Sequence, residues 1–249
     1  MSFKDKVVIV TGASSGVGAA TAIAFTQEGA SVVMIGRNQN KLDNVRKKCE
    51  AVGKKPLVIN ADLTDDGELR NIVDKTIEEF NKIDILVNNA AILRCGNLRY
   101  DTIRNTYDEV MNTNIRAVVY LTTFATPHLI ASKGNIVNIS TIGAERVICD
   151  EYNAYCVSKA ALNHFTRAAA IELGAHGVRV NTVSPAVVKS DMLQNAGFGA
   201  GDVGSFKNVM YGPWTESEEI ADLILFVASD KARGITGSNL VSDKGNTLI

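Results

Sequence analysis

The chain has 249 residues, 46% hydrophobic and 21% charged, with a formal net charge of −1. That length accommodates one larger α/β domain or two small ones, and a near-neutral chain without a clustered basic surface is not built to bind nucleic acid. No apolar stretch approaches the ~20 residues of a bilayer span, and the opening MSFKDK leads into four apolar residues, too few for a signal-peptide core.

In chain order, a buried strand is predicted over Val7–Val10, followed by the loop TGASSGVG (Thr11–Gly18) and a helix over Gly16–Glu28. Strand Ser31–Ile35 and helix Gln39–Val52 come next, then strand Pro56–Asn60 and helix Asp65–Phe80. Strand Ile83–Asn88 precedes one long helix over Thr102–Ala131, and strand Asn135–Ile139 precedes helix Tyr152–Ala175. Strand Val178–Val183, helix Ser217–Ser229 and strand Asn239–Ser242 complete the series. Asp65 with Glu68, and Thr215 with Glu218, read as capping boxes. The strands are continuously apolar rather than alternating, so both faces are covered. No linker, internal repeat or low-complexity tract interrupts the alternation. A single α/β domain of the doubly wound, Rossmann type is predicted, about seven parallel strands with helices on both faces. A TIM barrel needs eight comparable strand–helix units.

In such a sheet the loop after the first strand carries a ligand. Gly12 permits a tight turn, while Gly16 and Gly18 let backbone come close to a ligand and to the sheet. The helix that starts near Gly16 offers free N–H groups and a positive dipole end to a pyrophosphate. At the end of the second strand, VVMIGRNQNKL places Gly36 where an acid would bind a ribose 2′-hydroxyl, with Arg37 after it. A guanidinium suits a 2′-phosphate, which favours NADP(H) over NAD(H); the plain alternative is a solvated arginine at a helix start. Tyr155 and Lys159 lie i, i+4 on one helical face, where an ammonium stabilises a phenolate and makes the phenol a usable acid or base. Tyr152 has Cys156 at the equivalent position, which cannot supply that charge.

The spacing G-x-x-x-G-x-G after Thr11, with Asn88-Asn89-Ala90, Tyr155-x-x-x-Lys159 and Ser184-Pro185 in order, resembles the compact, single-domain short-chain dehydrogenase/reductases over nearly the whole chain. The resemblance implies that the Thr11–Gly18 loop (Gly12, Ser14, Ser15, Gly16, Val17, Gly18) holds the cofactor pyrophosphate. Asp62, with Leu63 beside it, matches the acid that bonds the adenine; its local alternative is a turn aspartate. Asn88 and Ala90 match the turn lining the cofactor ribose. Pro185, Val188 and Ser190 match the segment that fixes the nicotinamide carboxamide.

Tyr155 is implied as the general acid/base, with Lys159 lowering its pKa and gripping the ribose. Asn114 is implied to support proton relay through a water, with Asn112 as the alternative register. The hydroxyl that polarises the substrate oxygen is Thr141 or Ser140, since counting from the strand start and from Gly143 gives different answers. Ala91 and Ala186 stand where the family has glycine, at little cost unless the backbone there is left-handed.

Residues 190–214 combine five glycines with Met192, Leu193, Phe198, Val203, Phe206, Val209, Met210 and Tyr211. The expectation is a lid over a lipophilic alcohol, ketone or aldehyde such as a steroid, retinoid, isoprenoid or aromatic carbonyl; the alternative is an ordinary loop. Cys49, Cys95, Cys149 and Cys156 form no C-x-x-C and no metal-like grouping with the three histidines, so reduced thiols, a cytoplasmic protein and no metal are expected. The function expected is an NADP(H)-dependent oxidoreductase acting as a homo-oligomer (a tetramer or dimer). A Rossmann-fold protein that senses the cofactor without turnover is the rival reading, and retention of Asn114, Tyr155 and Lys159 together argues against it.

Overall fold

A computed structural model describes residues 1–149, 151–188, 190–196 and 215–248, with the side chains of Leu193 and Gln194 outside the description. Seven parallel strands form one sheet: β1 (Val7–Thr11), β2 (Ser31–Gly36), β3 (Leu57–Asn60), β4 (Ile85–Asn88), β5 (Asn135–Ile139), β6 (Arg179–Pro185) and β7 (Asn239–Ser242). Their order is β3-β2-β1-β4-β5-β6-β7. The order reverses between β1 and β4, and the carboxyl ends of those two strands open a crevice there.

The pleat explains the burial. Val8 and Val10 of β1 face one side, where α1 (Gly16–Gln27), α2 (Gln39–Glu50) and α8 (Ser217–Ala228) pack, while Val7 and Ile9 face the other. That second side is covered by α3 (Asp66–Phe80), α5 (Ala117–Ser132) and α6 (Asn153–Gly174). Both faces of every central strand therefore lose water, which is why Val7–Val10 of β1 and Ile85–Val87 of β4 are unbroken apolar runs.

Local chemistry sets several boundaries. Asp65 caps α3 by accepting from the Glu68 amide at 2.9 Å, but the Glu68 carboxylate turns to the Asp62 amide, so only half of the expected box forms. The second box sits one residue later than expected: Glu216, not Thr215, is the N-cap, paired reciprocally with Glu219. Thr215 instead bridges to Val188. The long helix predicted over Thr102–Ala131 is two helices, α4 (Arg104–Met111) and α5, joined by a π-helical turn over Asn112–Arg116. A π turn adds one residue to the helix and rotates its neighbours, and this one turns Asn114 fully inward. A short helix, α7 (Asp191–Asn195), follows β6 where no helical pattern was read. Among the described residues no helix is long and apolar enough to cross a membrane, no group of three or more His, Cys, Asp or Glu can hold a metal ion, and the cysteines form no disulfide.

Candidate active site

The crevice holds a cavity of about 1250 Å³ reached by both the glycine loop and α6. Its first wall is main chain. Gly12 and Gly16 adopt φ of +66° and +52°, left-handed values that side chains disfavour, and a Cβ on Gly12 would come within 2.9 Å of the Ala90 backbone. Gly12, Ser14, Ser15, Gly16 and Val17 line the cavity.

Gly18 does not line it. A Cβ there would meet the Gly12 carbonyl at 2.2 Å, so this glycine is what lets helix α1 close against the loop. Thr11 holds the loop from below: its hydroxyl accepts from the Asn89 and Ala90 amides at 2.9 and 3.0 Å and donates to the Val87 carbonyl at 3.3 Å.

The turn after β4 corrects one expectation. Asn88 points into the core, where its amide donates to Asn138 at 2.9 Å and Thr122 at 3.3 Å, and it takes no part in the cavity. Its neighbour Asn89 lines the cavity and ties the loop by donating to the Thr11 and Gly12 carbonyls. Successive side chains at a strand end point to opposite faces, a signal that could have separated the two. Ala90 lines the cavity as expected, and neither Ala91 nor Ala186 has a positive φ.

At the β2 end, Arg37, Asp62 and Leu63 line the cavity. Asp62 is also a turn aspartate: its Oδ1 accepts from the Thr64 amide at 3.0 Å and hydroxyl at 2.9 Å. Those bonds, with the Arg37 charge, hold its carboxyl below the ordinary range. From β6, Pro185, Val188 and Ser190 line the opposite side, and Ser190 lies against Gly16, where a Cβ would meet it at 2.9 Å. Residues 197–214, which carry most of the expected lid, are outside the described residues; Ser190, Asp191, Met192 and Asn195 line the cavity.

Tyr155 and Lys159 converge on the catalytic end. Both are buried, both line the cavity, and the Lys159 Nζ lies 5.9 Å from the Tyr155 ring centroid. The ammonium group donates to the Ile139 carbonyl at 2.7 Å. The Thr141 hydroxyl accepts from the Gly143 amide at 3.2 Å, whereas the Ser140 hydroxyl gives its proton to the Lys159 carbonyl at 3.3 Å. Both residues line the cavity, and Thr141 lies near enough to the Tyr155 side chain to act on its titration.

The electrostatics depart from the sequence reading. Burial pushes the Tyr155 phenol above its ordinary value, only partly offset by Thr141, and burial pulls Lys159 down to about 7. Desolvation is the largest influence on both groups.

Asn114 supports the site from behind, with none of its atoms on the cavity wall. Its carbonyl accepts from the Ile92 amide and its NH₂ donates to the Ile92 carbonyl, each at 2.9 Å, and to the Ser158 hydroxyl at 3.0 Å. Ser158 in turn donates to the Tyr155 carbonyl at 2.7 Å. The alternative register is excluded, since Asn112 is exposed. Ser158 and Asn89 belonged to no functional reading of the sequence.

The comparisons with known proteins agree with this geometry. A family model described as enoyl-(acyl carrier protein) reductase matches residues 12–247. The chain is 33% identical to the 3-oxoacyl-(acyl-carrier-protein) reductase of Thermotoga maritima over 98% of its own length and 99% of that protein's. A short chain dehydrogenase of Burkholderia cenocepacia, solved in complex with NADP, is 34% identical with a TM-score of 0.91, over 99% of this chain and 100% of that one. A carveol dehydrogenase of Mycobacterium avium, solved in complex with NAD, is 25% identical with the same TM-score, over 99% of each chain.

Proposed function

The chain belongs to the short-chain dehydrogenase/reductase family, and we propose that it interconverts a secondary alcohol and its carbonyl on a lipophilic small molecule with NADP(H). The coarser statement stands on the comparisons alone: the protein is an oxidoreductase of alcohols and carbonyls that uses a nicotinamide cofactor. The observation that carries the finer mechanism is the meeting of Tyr155, Lys159 and Thr141 in the cavity that the glycine loop opens into.

The residues present fit a dinucleotide. Two left-handed glycines and the Ser14–Ser15 turn offer backbone where side chains would block a pyrophosphate, and α1 begins there. When bound, the nicotinamide supplies or accepts the hydride. In the reducing direction Tyr155 gives its phenolic proton to the substrate oxygen, and in oxidation it takes that proton back. Thr141 donates a hydrogen bond to the same oxygen as negative charge gathers on it. Lys159, fixed by the Ile139 carbonyl, holds a positive charge or a donor beside the phenol. Asn114 and Ser158 act as positioning residues, fixing the turn of α6 that carries Tyr155.

Preference for NADP(H) rests on Gly36, where a discriminating acid would stand, and on Arg37 beside it in the cavity. Fluorescence titration with NADPH and NADH tests it: tighter NADPH binding is expected, and tighter NADH binding overturns it. The lipophilic class rests on Leu93, Ile142, Ile148 and Met192 in the cavity wall. A panel of ketones and alcohols followed at the nicotinamide absorbance tests that class, and a preference for small polyols overturns it. A cytoplasmic homo-oligomer, paired through the faces of α5 and α6 that expose Tyr120, Val157 and Ile171, completes the proposal. Elution as a monomer on size exclusion would remove the pairing.

A further inference from the structure

At the β2 end of the cavity two lining cations, Arg37 and Lys41, lie within electrostatic reach of acids of the chain itself. Arg37 acts on Asp62. Lys41, in the first turn of α2, reaches 150 residues along the sequence to place its Nζ 2.7 Å from Asp191 Oδ2. Ser190, just before Asp191, packs on Gly16 of the glycine loop. Lys41, Asp191, Ser15 and Arg37 all line the one cavity.

A carboxylate oxygen held on an ammonium beside the glycine loop has the charge and the charge-assisted bond that a phosphate oxygen takes in such a place. The pair is also exchangeable. Its side chains are 47% and 34% exposed, and an ion pair so open to solvent contributes little net stability that a competing anion must overcome.

We infer that Asp191 stands on Lys41 in place of a cofactor phosphate, and that a phosphate of the dinucleotide displaces it on binding. Lys41 is then a cofactor-binding residue and Asp191 its internal rival. This rests on the nicotinamide-dinucleotide reading of the site. Two phosphates share the chemistry, the 2′-phosphate and the pyrophosphate, and the choice of cofactor separates them. Displacement also frees Asp191, the first residue of α7.

The test is equilibrium fluorescence titration of the full chain with NADPH and with NADH, for the wild type, Asp191→Asn, Lys41→Gln and the double variant. Asparagine keeps the size of Asp191 but removes the charge. Asp191→Asn is expected to tighten binding by about 3- to 5-fold, the range of an exposed ion pair. Lys41→Gln is expected to weaken it by a similar factor, and Asp191→Asn to have no effect once Lys41 is gone. Changes confined to NADPH assign the 2′-phosphate; equal changes for both cofactors assign the pyrophosphate. Unchanged or weaker binding of both cofactors by Asp191→Asn overturns the inference and leaves the pair as a structural strap. A wild type that binds neither cofactor overturns the reading beneath it instead.

Discussion

The two ends of the cleft are made of different material. From Thr11 to Gly18 the wall is main chain, shaped by two left-handed glycines and a third whose missing side chain lets α1 approach. Around Tyr155 the wall is side chain, and the groups that matter are buried: Lys159 and Thr141 are 2% and 7% exposed, Asn114 and Ser158 fully covered. A backbone wall tolerates any sequence that keeps its turns and rejects any added Cβ. A wall of buried polar side chains depends on each partner, because an unpaired buried group costs about 1–3 kcal/mol. Damage at the first end should therefore appear in stability and cofactor affinity, and damage at the second in turnover.

The sharpest break of that contrast is Tyr155→Phe. Turnover should fall roughly 10²- to 10⁴-fold, the contribution of a positioned acid/base, while NADPH titration is unchanged. Equal losses in both would merge the two ends into one.

Thr141→Ala comes next, with a loss in kcat of about 10²–10³, the cost of removing one donor to a developing oxyanion. Ser140→Ala should lose far less, since that hydroxyl is engaged by the Lys159 carbonyl. The reverse order, read from steady-state kinetics, would exchange their roles.

Gly18→Ala probes the other end. Its Cβ would sit 2.2 Å from the Gly12 carbonyl, and overpacking of this kind costs about 1–3 kcal/mol, or roughly 2–12 °C in melting temperature for a chain of this length. NADPH affinity should fall with it, while the kcat of the loaded enzyme changes little. An unaltered melting curve would mean that α1 does not need the close approach.

The smallest expected effect is a pH dependence. Burial lowers Lys159 from 10.5 to about 7, so between those values the unfolded chain binds the extra proton and stability rises with pH. The penalty is complete below about pH 7 and is relieved as pH climbs toward 10.5. Lys159→Met lacks it. The variant's advantage in melting temperature over the wild type should therefore be greatest at pH 6 and shrink by pH 9; a constant difference would contradict the burial of the charge.

Much of this molecule was legible from spacing alone. The seven strands, their apolar character, the glycine turn and the Tyr155–Lys159 pair are properties of one segment at a time, fixed by the periods of a strand and a helix and by the conformations that glycine permits. Strand ends moved by one or two residues, as at β4 and β6, without changing what they carry. The choice between Ser140 and Thr141, the inward turn of Asn114, the division of labour between Asn88 and Asn89, and the reach of Lys41 to Asp191 were of another kind. Each was decided by a partner 19 to 150 residues away in the chain. A hydroxyl or an amide of given sequence can serve the core or the cleft equally well, and only the packed sheet, by bringing a particular acceptor within 3 Å or so and removing the water that would have competed for it, determines which.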